Sequence, residues 1–294
     1  MTIKKVTVLG AGVLGAQIAF QAAYAGFDVV SYDINEEALG AARKRFDELE
    51  RTYLQDVKGA SEDKLKQARD RLSQSADLTE AVKAADLIIE AVPENIELKR
   101  KVWAQVGQAA PAQTIFTTNT STLLPSSFAD ASGDPSRFLA LHFANNIWVN
   151  RVVEVMGTAQ TKPEVAQQVY EFAEAMKMKP FLLKKEQPGY IINSLLVPFL
   201  DAAAHLLGAE VASPKEIDSV WKLATGSPHG PFEIMDVVGL RTVYAIHSSH
   251  GDSQDADNQR FLEIVKNDYL DKGKTGKDSG SGFYDYDDSG AVKN

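Results

Sequence analysis

In the stretch RFLALHFANNIWVNRVVEVM, a histidine, His142, and a glutamate, Glu154, stand twelve positions apart in surroundings that otherwise avoid charge. A lone histidine in an apolar run is most often a hydrogen-bonded core residue. Its chemical use is proton exchange, because an imidazole with an unperturbed pKa of about 6.5 gives and takes a proton near neutrality. A carboxylate on its far ring nitrogen fixes the tautomer and stabilises the imidazolium; Glu154 reaches that position if the chain turns back through ANNIWVN.

A second cluster with chemical meaning opens the chain. KKVTVLGAGVLGAQIAFQAAYAGFDVVSYDIN joins an apolar run (Val6–Leu9), the glycine turn Gly10, Gly12 and Gly15, a helical pattern to Tyr24, and a second apolar run ending at Asp33. This is a β-α-β unit with a G-x-G-x-x-G turn between strand and helix. Gly10 allows the tight turn, Gly12 lets a pyrophosphate approach the backbone, and Gly15 lets helix and strand pack closely. The helix N-terminus offers amide donors and a positive dipole to the anion. Asp33, at a strand end, suits the ribose hydroxyls and repels a 2′-phosphate, which favours NAD over NADP unless Arg43 or Lys44 folds back.

The elements that must hold these residues follow from the apolar runs. Further strands are expected at Ala85–Val92, Thr114–Ser121, Arg137–Phe143, Val152–Met156 and Pro180–Lys185, with helices between several of them. The reading is an α/β fold, a Rossmann-type doubly wound sheet with a helical hairpin insertion over residues 1–186, followed by an all-α C-terminal domain over 187–294. Ligands of such sheets lie beyond the carboxyl ends of the strands, and Glu90, Glu94, Asn119, Ser121 and His142 all fall at or just past such ends. Between Asp33 and Ala85 two charged helical patterns meet near Gly59–Ser61. They read either as a solvated hairpin or as the carrier of cations for an anionic substrate tail, drawn from Arg43, Lys44, Arg45, Arg51, Lys58, Lys64 and Lys66. Past Pro188–Gly189, helices are expected at Ile191–Leu207, Pro214–Ala224, Phe232–Ser249 and Asn258–Leu270, then a glycine- and acid-rich loop with a frayed end.

Composition removes several alternatives. The 294 residues are 44% hydrophobic and 24% charged, enough for a packed core. A net charge of −9 supplies no field for a nucleic-acid partner. There is no cysteine, which excludes disulfides, iron–sulfur clusters, thiolate zinc sites and cysteine nucleophiles. No secretory signal pattern is visible and Tyr190–Ala212, though apolar, is broken by Asn193, Pro198, Asp201 and His205, so a cytoplasmic protein with no membrane span is expected. A nicotinamide site needs a proton carrier beside the hydride path. Alcohol oxidation on zinc typically uses cysteine ligands, a Y-x-x-x-K pair is absent, and histidine remains. Of His142, His205, His229, His247 and His250, only His142 stands at a strand end in the nucleotide half.

The glycine turn, NTST (Asn119–Thr122), HFAN (His142–Asn145), VVEVM, PGYIINSLLVPFLDAA and GPFEIMDVVGL are similar, in order and spacing, to the 3-hydroxyacyl-CoA dehydrogenase family over nearly the whole chain. The resemblance implies NAD as cofactor, interconversion of L-3-hydroxyacyl-CoA and 3-ketoacyl-CoA, and a homodimer formed through the C-terminal domain. It implies that His142 is the acid/base and Glu154 its orienting partner, that Ser121 and Asn193 bind the substrate oxygen region and acyl group, and that Glu94, Lys99, Asn119 and Asn145 lie near the cofactor. The plain alternatives are helix caps for Ser121 and Asn193, and a solvated helix face for Glu94 and Lys99. The chain departs from the family at Ala144, Asn146 and Ser194, where an aromatic residue, proline and arginine are common. HFANNIWVN resembles the diketoreductase branch, whose members reduce diketo esters; oxidation of a free sugar acid such as L-gulonate and a non-catalytic NAD-binding protein are the further alternatives.

Overall fold

The computed structural model describes residues 3–249, 255–287 and 290–293, and the chain divides into two compact units, residues 1–191 and 192–294. His250 lies outside the described residues.

The first unit is built on one sheet. Its strands are β1 (Lys5–Leu9), β2 (Asp28–Tyr32), β3 (Leu72–Ser75), β4 (Leu87–Glu90), β5 (Ile115–Thr118), β6 (Phe138–Phe143), β7 (Val152–Gly157) and β8 (Lys179–Leu183), in the order β3-β2-β1-β4-β5-β6-β7-β8. All neighbours are parallel except β6 and β7. Strands buried on both faces read as continuous apolar runs, which is why β4 and β6 are buried at every position. β3 has no such signature: LSQS is a polar edge strand paired only with β2, and hydrophobic patterning alone does not announce it.

The helices of this unit are α1 (Val13–Tyr24), α2 (Glu36–Asp56), α3 (Glu62–Asp70), α4 (Leu78–Val82), α5 (Ile96–Ala109), α6 (Ile147–Asn150) and α7 (Pro163–Ala175). α1 is buried without a break from Gly15 to Ala23, and its two polar residues there, Gln17 and Gln21, are hydrogen-bonded. The hairpin α2–α3 begins each helix on a side-chain cap, Asn35 accepting from Ala38 N–H and Ser61 from Lys64 N–H. It is not wholly solvated: Leu39, Ala42, Phe46, Leu49 and Tyr53 recur at helical spacing and are buried, all but Leu39 in one cluster with the α1 core.

The second unit contains α8 (Ile192–Gly208), α9 (Pro214–Thr225), α10 (Pro231–Val238), α11 (Leu240–Ser249) and α12 (Ala256–Ile264), around Leu200, Ala203, Leu207, Phe232, Met235, Val243 and Phe261. The single helix expected over Phe232–Ser249 is two, broken at Gly239, whose φ of +91° ends α10. The loop expected after the helices is fastened at Phe283–Tyr286, while the end expected to fray, Asn294, lies outside the described residues. Asp236 of α10 accepts from Phe283 N–H, Tyr284 N–H and Tyr286 O–H at 2.8–2.9 Å, and Asp218 of α9 accepts from Tyr284 O–H at 2.9 Å. Its acids and glycines therefore serve an irregular but anchored segment. Among the described residues, no helix is long and apolar enough to cross a membrane.

Candidate active site

The carboxyl ends of β1, β4, β5 and β6 lie side by side, and the chain leaving each one carries the site. At the end of β1 the glycine turn performs three separate steric tasks. Gly10 has φ +95°, and a Cβ there would stand 2.6 Å from Ala91 O; a Cβ on Gly15 would stand 1.9 Å from Gly10 O. A Cβ on Gly12 would meet nothing within 4 Å. Gly10 thus lets the turn pack against the chain leaving β4 and Gly15 closes α1 onto the turn, while Gly12 faces open space in front of the α1 N-terminus, which has no side-chain cap. A dinucleotide's pyrophosphate fits a cradle of this kind.

Asp33, just past β2, turns toward the same place. Its Oδ2 accepts from Ala11 N–H and its Oδ1 from Ile34 N–H, both at 2.8 Å, which leaves further lone pairs for ribose hydroxyls. Arg43 does not fold back to the turn; it donates to Gln74 Oε1 at 3.2 Å. Of the other hairpin cations, Arg45 reaches Ala11 O at 3.4 Å and Lys64 donates to Gly59 O at 2.7 Å. Arg51 and Lys66 line a groove between α2 and α3 together with Asp47 and Glu50, so the sign of its charge is mixed.

The opening histidine and glutamate meet by register. β6 and β7 form an antiparallel pair around α6, and His142 is directly opposite Glu154. Side chains at such positions share one sheet face within contact distance. His142 Nδ1 lies 2.9 Å from Glu154 Oε2; a carboxylate only accepts, so Nδ1 carries the proton and Nε2 is the nitrogen left to exchange one. Glu154 Oε1 accepts from Ile191 N–H at 2.7 Å, which fixes the carboxylate plane. On the other side, His142 Nε2 is 3.1 Å from Ser121 Oγ, so Ser121 is not a helix cap.

Ser121 is held by a partly buried network. Glu94 Oε1 accepts from Ser121 N–H (3.0 Å), Thr122 N–H and Oγ1 (2.9 Å each) and from Thr120 Oγ1. Burial opposes ionisation of Glu94, but the hydrogen bonds from Thr120 and Thr122, with Lys99 close by, outweigh it and bring the carboxyl down to about 2. Lys99 is buried, not on a solvated face: its Nζ is 2.6 Å from Glu90 Oε1 and 3.3 Å from Glu94 Oε2. Asn119 Oδ1 accepts from Phe143 N–H at 2.8 Å and so ties the end of β5 to the end of β6. Asn145 is exposed on the turn after β6. Asn193 belongs to the first turn of α8, in the second unit, and is half-buried there.

Three participants escaped the sequence. Gln17 of α1 receives Asn146 N–H at 3.0 Å, Thr118 Oγ1 donates to Glu90 Oε2 at 2.8 Å, and the Tyr190 ring lies parallel to the His142 imidazole. Tyr190 stands within the PGYIIN motif, but nothing in its spacing points to His142. Burial, followed by the nearby Glu94 and Glu154 carboxylates, pushes its phenol far above the ordinary range, so it stays neutral.

A dinucleotide cradle beside a histidine–carboxylate pair defines an NAD-dependent dehydrogenase acting on a CH–OH group. Comparison with known proteins agrees. The 3-hydroxyacyl-CoA dehydrogenase NAD binding domain matches residues 5–187 and the C-terminal domain of the same enzymes matches residues 189–286. The chain is 37% identical over 294 residues to a probable 3-hydroxybutyryl-CoA dehydrogenase of Bacillus subtilis, covering 98% of this chain and 99% of that one. It is 34% identical over 291 residues to human mitochondrial hydroxyacyl-coenzyme A dehydrogenase, covering 97% and 91%. A solved diketoreductase structure, described for substrate-directed dual catalysis of dicarbonyl compounds, is 53% identical with a TM-score of 0.93, covering 97% of this chain and all of that one. The protein belongs to the 3-hydroxyacyl-CoA dehydrogenase family.

Proposed function

We propose that the protein interconverts an L-3-hydroxyacyl-CoA and its 3-ketoacyl-CoA, with His142 as the proton carrier. The observation behind this reading is the Ser121–His142–Glu154 line at 3.1 and 2.9 Å. Bound NAD would supply the hydride acceptor, or in its reduced form the donor, for the substrate C3 carbon. In the oxidising direction His142 Nε2 takes the hydroxyl proton as the carbonyl forms, and in the reducing direction it gives that proton back. Glu154, against Nδ1, holds the tautomer and stabilises the imidazolium. Ser121 and Asn193 orient the substrate oxygen and acyl group. Gly10, Gly12, Gly15 and Asp33 hold the adenosine side of NAD, and Glu94, Lys99, Asn119 and Asn145 shape the nicotinamide side.

A second reading is reduction of free dicarbonyl compounds on the same machinery. The 53% identity to a diketoreductase favours it, as does the mixed charge of the α2–α3 groove. The deciding assay is NADH oxidation with acetoacetyl-CoA, a 3,5-diketo ester and a free 3-keto acid, each over a concentration series. A dominant kcat/KM for acetoacetyl-CoA supports the CoA reading; a dominant value for the free compounds replaces it.

The protein works as a homodimer through its second unit. Leu195, Val211, Val220 and Leu223 there are 65–87% exposed, and Phe199, Leu206, Ile217 and Trp221 line an apolar hollow of about 360 Å³. A mass of one chain by light scattering at micromolar concentration would overturn this part.

A further inference from the structure

The His142 imidazole is hydrogen-bonded at both ring nitrogens, to Glu154 and Ser121. Two bonds at the ring nitrogens do little to stop the ring tilting about the line that joins them. Proton transfer requires the ring plane held to within roughly 10–20° of its productive setting. The structure supplies the missing restraint in Tyr190, whose ring stacks on the imidazole with centroids 4.4 Å apart and planes 13° apart.

Tyr190 is not ordinary core filling. It has φ +54°, a left-handed backbone that a bulky residue keeps only when its surroundings compensate, and it follows Gly189 at φ +76°. Its own N–H closes the turn on Gln187 O at 3.0 Å. This conformation gives the short segment three attachments to the site. The ring covers His142, the hydroxyl donates to Thr120 O at 2.7 Å, and the next N–H, that of Ile191, donates to Glu154 Oε1 at 2.7 Å. The side chain is buried in a small cluster with Ala140 and Met156, so the stack is not a mobile surface contact.

We infer that Tyr190 is a positioning residue for proton transfer: its ring fixes the plane of the His142 imidazole, and its hydroxyl sets the Thr120–Ser121 turn against it. The inference rests on His142 being the proton carrier. It assigns the ring and the hydroxyl separable tasks, and Tyr190→Met and Tyr190→Phe separate them. Methionine is flexible and lacks a flat face, and phenylalanine keeps the face without the hydroxyl.

The test measures kcat and KM for acetoacetyl-CoA, NADH affinity, and water exchange of the His142 Nδ1 proton by NMR of ¹⁵N-histidine-labelled protein, with His142→Gln alongside. Tyr190→Met is expected to lower kcat by roughly tenfold or more with NADH affinity and KM within about twofold, and to speed Nδ1 proton exchange by about tenfold. Tyr190→Phe is expected to keep exchange slow and to lose no more than about fivefold in kcat, in keeping with one neutral hydrogen bond. A folded Tyr190→Met with wild-type kcat or unchanged exchange overturns the inference, as does Tyr190→Phe exchanging much faster than wild type. That last measurement stands alone if Tyr190→Met does not fold. An inactive His142→Gln beside a fully active Tyr190→Met sinks only the positioning role, whereas a fully active His142→Gln sinks the proton-carrier reading as well.

Discussion

One added methyl group should have opposite consequences at Gly12 and at Gly15, because the first glycine faces the approach of a pyrophosphate and the second faces a packed backbone. In Gly15→Ala the new Cβ would lie 1.9 Å from Gly10 O and 3.0 Å from Gly10 C, both backbone atoms. Atoms in ordinary van der Waals contact stand about 3.5–4.0 Å apart, so β1 and α1 must separate; overpacking of this kind costs about 1–3 kcal/mol. At the usual few degrees per kcal/mol for a domain of this size, Tm should fall by about 3–10 °C. Gly12 is different. Its φ of −63° suits any residue, and nothing lies within 4 Å of the added Cβ. Gly12→Ala should leave Tm unchanged or raise it slightly through reduced freedom of the unfolded chain, about 0.4–1 kcal/mol. Its methyl, however, occupies the space through which a pyrophosphate reaches the backbone, and a loss of about 10²-fold in NADH affinity is expected, or about 2.7 kcal/mol. The assay pairs NADH fluorescence titration with thermal melting of both variants. Wild-type NADH affinity in Gly12→Ala, or an unaltered Tm in Gly15→Ala, would refute this division of labour.

Asp33→Ala should weaken NAD binding and relax the exclusion of NADP, read as the ratio of kcat/KM for the two cofactors; an unchanged ratio would show that Asp33 is not the ribose ligand. Lys99→Met leaves Glu90 buried with only the hydrogen bonds from Thr118 and Val92. Removing one partner of a buried pair costs about 3–5 kcal/mol, so the urea midpoint should drop markedly, and a midpoint equal to wild type would contradict the ion pair. Glu94, lowered from 4.5 to about 2, stabilises the fold above its unfolded pKa, and that contribution is lost as pH falls from about 5 toward 2. Glu94→Gln should flatten the acid limb of a stability-versus-pH curve in that window; an acid limb as steep as wild type would count against the network.

Where the sequence was informative, the information was local or periodic. The glycine turn and the run ending at Asp33 are confined to one β-α-β unit, so their meaning needs no distant partner. His142 and Glu154 are joined by a hairpin, and a short antiparallel connection turns a sequence spacing into a facing pair. What was hidden depends on tertiary contacts. Lys99 and Glu94 sit on a charged pattern that resembles a solvated face, yet Lys99 is 1% exposed because Glu90 waits for it at the end of a neighbouring strand. β3 carries a single apolar residue, Leu72, and pairs on one side alone, so no apolar run announces it. The tail is held by Asp236, fifty residues from its Tyr286 partner, and no local pattern announces a capture at that distance. Tyr190 meets His142 through a left-handed turn that the sequence PGY suggests but does not aim.

The role of His142 as proton carrier is tested by turnover of His142→Gln with NADH and the best ketone substrate, measured beside its NADH affinity. A fall in kcat of at least about 10²-fold is expected, with affinity within about twofold of wild type, because the imidazole serves the reacting proton and not the cofactor. Wild-type turnover, or a loss explained wholly by weaker NADH binding, would contradict that role.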